Sequence, residues 1–108
     1  MPWTIHPLNA AVEAEIAALP ADMQARYLRL ADLIEAHGLE SMGASHVKHL
    51  EGRLWELRIT GRDGIACAIY VTASGQRVVV LHVFIKKTQK TPTRGLDTAR
   101  RRLRELDP

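Results

Sequence analysis

The run VVVLHVFIKKTQKTP, Val78 to Pro92, is the most apolar part of the chain at its start and one of the most basic at its end. Val78, Val79, Val80, Leu81, Val83, Phe84 and Ile85 are β-branched or bulky, as a strand buried on both faces requires. Lys86, Lys87 and Lys90 follow with no acidic neighbour. The pattern predicts a central strand, residues 77–86, that pushes cations out of the sheet edge.

Two more strands lie immediately upstream. Arg53 to Thr60 alternates Trp55, Leu57 and Ile59 with Glu56, Arg58 and Thr60, the period of a strand with one buried face. Ile65 to Thr72 is a second apolar run. Gly61-Arg62-Asp63-Gly64 and Ala73-Ser74-Gly75-Gln76 are hairpin loops, so the three strands form an antiparallel meander. Before them, residues 38–46 read as loop, Val47 to Leu50 follow, and Glu51-Gly52 is a turn.

Further toward the N-terminus, Trp3 to Ile5 is a short edge strand bounded by Pro2 and Pro7. Asn9 is an N-cap, and Val12, Ile16 and Leu19 then mark one helix face until Pro20. A second helix runs from about Asp22 to His37, with Met23, Tyr27, Leu30, Ala31 and Ile34 as its apolar stripe and Gly38 at its end. Two helices so closely joined predict an antiparallel α-hairpin. On the C-terminal side, Thr91 as N-cap and Pro92 at the first position open a last helix. Leu96, Ala99, Leu103 and Leu106 line one face, and Arg94, Arg100, Arg101, Arg102 and Arg104 cover the rest. Gly95 weakens that helix by roughly 1 kcal/mol relative to Ala.

At 108 residues the chain is expected to be one domain, residues 1–108. No apolar run approaches the ~20 residues of a membrane span, and the N-terminus lacks the pattern of a signal peptide. Cytoplasm is the expected location. The single cysteine, Cys67, rules out an internal disulfide and a multi-cysteine metal motif. Residues 1–40 hold two basic and six acidic residues, whereas 41–108 hold thirteen basic and six acidic. Charge segregated in this way suggests a polyanion on the basic side and a different partner on the other.

The functional candidates follow from charge. Arg58 within a strand, with Lys86 and Lys87 at the end of another, would form a phosphate-binding surface. Fixed cations of this kind stabilise the charge that develops in phosphoryl transfer. RNA supplies its own nucleophile, the 2′-hydroxyl, so no cofactor is required. His82 is either a hydrogen-bonded core histidine or a general acid or base. His46 and His49 have metal-like spacing without accompanying ligands, and no metal site is expected. Lys48, Arg53, Lys90, Arg94 and Arg101 are candidate RNA contacts, and Tyr70 is a candidate for base stacking.

The segments VKHLEGRLWELRI (47–59), GIACAIYV (64–71) and VVVLHVFIKKTQKTP (78–92) resemble the phage Gp49-like/HigB toxins of the RelE/ParE superfamily. The resemblance implies an α+β, RelE-like fold: an N-terminal α-hairpin packed on a small antiparallel β-sheet, with a C-terminal helix. It further implies a type II toxin that cleaves mRNA on the ribosome without metal, neutralised by a helix-turn-helix, HigA-like antitoxin. Arg58 in WELR, Lys86 and Lys87 in FIKK and Lys48 in VKHL match the family pattern. At Cys67 the family usually has an arginine expected to bind the scissile phosphate. Cysteine has no fixed charge and no forked donor set, and losing one such contact typically costs about 10²–10³ in rate. Three readings follow: an attenuated toxin, a toxin served by Arg58 and the lysines alone, or a chain turned to another activity with Cys67 inert. Two alternatives come from other classes: a ParE-like inhibitor of DNA gyrase, and a non-catalytic nucleic-acid-binding module.

Overall fold

The computed structural model describes residues 3–43, 46–86 and 91–106. In chain order they form β1 (Thr4–Pro7), α1 (Ala10–Ala17), α2 (Ala21–His37), a 3₁₀ turn (Leu39–Ser41), β2 (Val47–Glu51), β3 (Leu54–Gly61), β4 (Gly64–Ala73), β5 (Arg77–Lys86) and α3 (Thr93–Leu106). The strands make one sheet in the order β1-β5-β4-β3-β2. β3, β4 and β5 are the expected meander, and β5 has the boundaries read from the sequence.

Two features of the expected fold are corrected. The sheet is mixed, because β1 runs parallel to β5, pairing Thr4 with Arg77 through Pro7 with Val80. The first two helices do not pack chiefly on each other. α1 lies on β5, and α2 lies on β3 and β1. A sheet face rich in β-branched residues offers each helix more apolar area than its short neighbour does, and burial follows area. β2, read only as a segment before a turn, is the edge strand next to β3.

Helix boundaries follow local chemistry. Asn9 caps α1, its side-chain oxygen accepting from the Val12 N–H at 3.1 Å. Gly38 ends α2 at φ +88°, where a side chain would be strained. Asp22, in the first turn of α2, also reaches outside the helix. Its carboxylate accepts from the Arg62 N–H at 2.6 Å and so ties the β3–β4 hairpin to the helix.

Alternation along the strands sorts the core into two layers. On one face, Val12, Leu19, Met23, Tyr27, Leu30 and Ile34 pack against Leu57, Ile59, Ala66, Ala68, Val78 and Val80. On the other, Ala99 with Leu96, Leu103 and Leu106 of α3 covers Leu54, Cys67, Ile69, Val71, Val79 and Leu81. Gly95 has a packing reason: a Cβ there would lie 2.8 Å from the Phe84 ring, so glycine lets α3 approach β5. The charged residues of interest stand on this α3 face.

Candidate functional site: two carboxylate knots and a cleft under the last helix

The registers put Arg58, Cys67 and Phe84 in one row across β3, β4 and β5, and Glu56, Ile69 and His82 in the next. Adjacent strands are about 4.8 Å apart, so each row spans roughly 10 Å. A bulge helps to set this arrangement. Tyr70 pairs with Val80 and Ile69 with His82, leaving Leu81 as the extra residue. Such a bulge re-aims the side chains beyond it.

The first knot is closed. The Glu56 side chain is 0% exposed and Lys86 is 1% exposed, and Lys86 Nζ donates to Glu56 Oε1 at 2.5 Å. Thr91 Oγ1 donates to the second carboxylate oxygen at 3.2 Å, and the Cys67 thiol is a third donor. Burial pushes the Glu56 carboxyl upward, but the bonds from Lys86, Cys67 and Thr91 outweigh it and hold the group below the usual range. Burial, reinforced by the nearby Glu56 charge, pushes the Cys67 thiol well above its ordinary value, so Cys67 is a protonated, unreactive filler.

This geometry corrects two readings. Lys86 does not leave the sheet as a free cation but turns inward to a carboxylate. Thr91 does not cap α3; its hydroxyl goes to Glu56, and the Pro92 carbonyl accepts the first helical bond, from Leu96 at 3.2 Å. Position 67 itself is 0% exposed and belongs to this buried cluster. Lys87 and Lys90 lie outside the described residues.

The second knot is open. β1 stops at Pro7, and among the described residues no strand pairs with that edge of β5 beyond it. Side chains fill the positions a strand would have taken. Glu15 of α1 accepts from the Val83 N–H at 3.0 Å, and Arg102 Nη1 of α3 donates to the Leu81 carbonyl at 2.9 Å. The two meet each other, with Arg102 Nη1 at 3.0 Å from Glu15 Oε2. His82 Nδ1 is 3.0 Å from Glu15 Oε1. Here exposure is 23% for Glu15, 16% for His82 and 13% for Arg102. His82 also lines a cleft of about 440 Å³ with Phe84, Pro92, Arg94 and Gly95.

The remaining candidates separate by environment. Arg58 is half-buried, and its Nε is buried without a hydrogen-bond partner. Among the described residues only the Tyr70 hydroxyl shares that condition among buried side-chain nitrogens and oxygens. Tyr70 is 1% exposed, in the layer under α2, so it presents no ring face to a base. Burial pushes its hydroxyl up to about 12. Lys48 is exposed on edge strand β2. Arg53, also exposed, reaches toward the Thr72 carbonyl at 3.5 Å.

Of the arginines on α3, Arg94, Arg101 and Arg104 are exposed. Arg100 grips Glu51 and Asp97, and Arg102 belongs to the open knot. Residue type alone could not separate these two groups. Among the described residues no set of three or more His, Cys, Asp or Glu could hold a metal ion. Nor is any helix among them long and apolar enough to cross a membrane.

Residues 14–104 match the family described as Phage derived protein Gp49-like, and the chain belongs to that family. The family is part of the RelE/HigB-like toxin group; it points to a toxin-type role in a toxin–antitoxin system and to an antitoxin partner. No curated protein sequence matches the chain.

Proposed function

We propose that the protein is a single-domain HigB-type toxin, a metal-independent endoribonuclease that cuts mRNA on the ribosome and is restrained by a HigA-like helix-turn-helix antitoxin in the cytoplasm. The observation that carries this reading is His82. It is held at Nδ1 by Glu15 and lines a cleft that also contains Arg94. RNA cleavage without a metal needs a group to take the 2′-hydroxyl proton and cations to receive the phosphate. His82 takes that proton at Nε2. The 2′-oxygen then attacks phosphorus, and the bond to the 5′-oxygen breaks. Water protonates the leaving 5′-oxygen, His82 returns its proton to solvent, and a 2′,3′-cyclic phosphate and a 5′-hydroxyl remain.

Arg94 and Arg58, whose buried Nε has no hydrogen-bond partner, supply fixed positive charge on the same face. Lys86 holds the sheet and the start of α3 through Glu56, and Cys67 has no chemical part. Lys48, Arg53 and Arg101 extend the basic surface for ribosomal or messenger RNA.

Inducing wild type, His82→Ala and Arg58→Ala chains in cells, with mapping of mRNA 5′ ends, tests the proposal. Growth arrest with cuts in translated mRNA is expected for wild type. Cutting should fall about 10²–10⁴-fold for His82→Ala and about 10²–10³-fold for Arg58→Ala. Arrest with intact mRNA and blocked replication would overturn the ribonuclease reading in favour of gyrase inhibition.

A further inference from the structure

Glu15 and His82 lie 67 residues apart in the chain and meet at 3.0 Å. Glu15 Oε1 serves three neighbours: His82 Nδ1, the Val83 N–H at 3.0 Å and Arg102 Nη1 at 3.1 Å. Arg102 Nη1 is itself 3.4 Å from His82 Nδ1. A guanidinium nitrogen can only donate, and an ionised carboxylate can only accept. Nδ1 is nearer the acceptor, at 3.0 Å, than the donor, and Arg102 Nη1 already has the Leu81 carbonyl at 2.9 Å and Glu15 Oε2 at 3.0 Å for its two hydrogens, so the contact that suits Nδ1 is donation of the ring hydrogen to Glu15. In neutral imidazole the other nitrogen, Nε2, is then the one with the lone pair.

We propose that Glu15 is the positioning residue of His82, fixing its Nδ1–H tautomer and leaving Nε2 as the proton acceptor, while Arg102 clamps the carboxylate in place. This assignment rests on the ribonuclease reading for its consequence but not for its geometry. Both partners of the imidazole are anchored independently of it. The Val83 N–H fixes Glu15 from β5, Arg102 fixes it from α3, and the Leu81 carbonyl fixes Arg102 at 2.9 Å. The carboxylate would hold its place with the ring removed, which is the condition for it to orient the ring and not merely follow it. Among the described residues, the charged or titratable groups around His82 are Glu15 from α1 and Arg102 and Arg94 from α3. The β4 residue paired with it is Ile69, and its neighbour on β5 is the Phe84 ring, with centroids 4.9 Å apart. Glu15 is thus the acceptor that selects the tautomer.

Long-range ¹H–¹⁵N NMR of the full chain, with His82→Gln to assign the signals, reads the tautomer directly. Wild type is expected to show a protonated Nδ1 and an unprotonated Nε2 at a pH where the ring is neutral; hydrogen on Nε2 would overturn the proposal whatever any variant does. Glu15→Gln, which keeps an acceptor, should retain the tautomer, and Glu15→Ala should give a mixture of both. An unchanged tautomer in a folded Glu15→Ala chain would also overturn it. In RNA cleavage Glu15→Ala should lower kcat by about 10²-fold or more with KM little changed, since substrate does not touch Glu15. A wild-type chain with the Nδ1–H tautomer but no RNA cleavage would sink the ribonuclease reading and leave the positioning assignment standing.

Discussion

The two knots on the α3 face contain the same chemistry and differ in access to water. Each has one carboxylate, one long cation and further donors. Around Glu56 both charged side chains are at most 1% exposed, and every group in the knot ties one part of the fold to another. Around Glu15 exposure rises to between 13% and 23%, and one member turns toward a cleft. A sealed ion pair is a structural device whose loss is costly. A rim ion pair that braces a titratable ring can serve chemistry at moderate cost to stability. Composition does not distinguish the two knots; accessibility does.

The largest effect should come from breaking the sealed knot on one side. Lys86→Met leaves Glu56 buried and uncompensated, which costs about 3–5 kcal/mol, read from urea unfolding by circular dichroism. Replacing both partners, Glu56→Leu with Lys86→Met, should recover most of that loss. If the single variant unfolds like wild type, the knot is not the anchor described here.

Breaking the open knot should cost less. Arg102→Met removes a charged donor from Glu15 and from the Leu81 carbonyl, worth about 1.5–3 kcal/mol. A loss as large as that of Lys86→Met would erase the contrast between the two knots. Gly95→Ala sharpens the comparison by changing the cleft alone. Its Cβ meets the Phe84 ring, an overpacking cost of about 1–3 kcal/mol, offset in part by the ~1 kcal/mol gain in helix propensity. A modest net destabilisation is expected, and a more stable variant would mean that α3 can lift from β5.

The smallest effect concerns acid. The folded Glu56 carboxyl is held below its ordinary 4.5. Its stabilising contribution is therefore present above that value and is lost as pH falls through the folded value. The melting temperature of wild type should drop on acidification below about pH 4.5 more steeply than that of the Glu56→Leu, Lys86→Met pair. Parallel profiles would assign the acid sensitivity to other carboxylates.

The sequence was most readable where pairing is local. β5, β4 and β3 are joined by tight turns, and their periodicity placed them to within a residue or two. β1 was glimpsed as an edge strand, but its parallel partner lies some seventy residues away and no local pattern names it. β2 was missed because an edge strand with Lys48 and His49 exposed has no apolar alternation to show. The site was harder still. Lys86 follows an apolar strand as a surface lysine would, and only the fold brings Glu56, on the strand two positions away, within its reach. Glu15 is one of six acidic residues in positions 1–40, and nothing local marks it out. Its meeting with His82 depends on where β1 ends and where β5 bulges, and neither is written in the residues of α1.

The early end of β1 bears also on how this chain avoids sticking to itself. Val78 to Phe84 is an uncharged, β-branched run of the kind that stacks into fibrils when its backbone edge is left open. Along the first half of β5 that edge is covered by β1. Past Pro7 the Leu81 carbonyl and the Val83 N–H, which would template an incoming strand from another molecule, are already bonded to Arg102 and Glu15. Two charged side chains thus act as gatekeepers, and the stretch of the protein most prone to aggregation is plugged at the point where its own sheet leaves it uncovered.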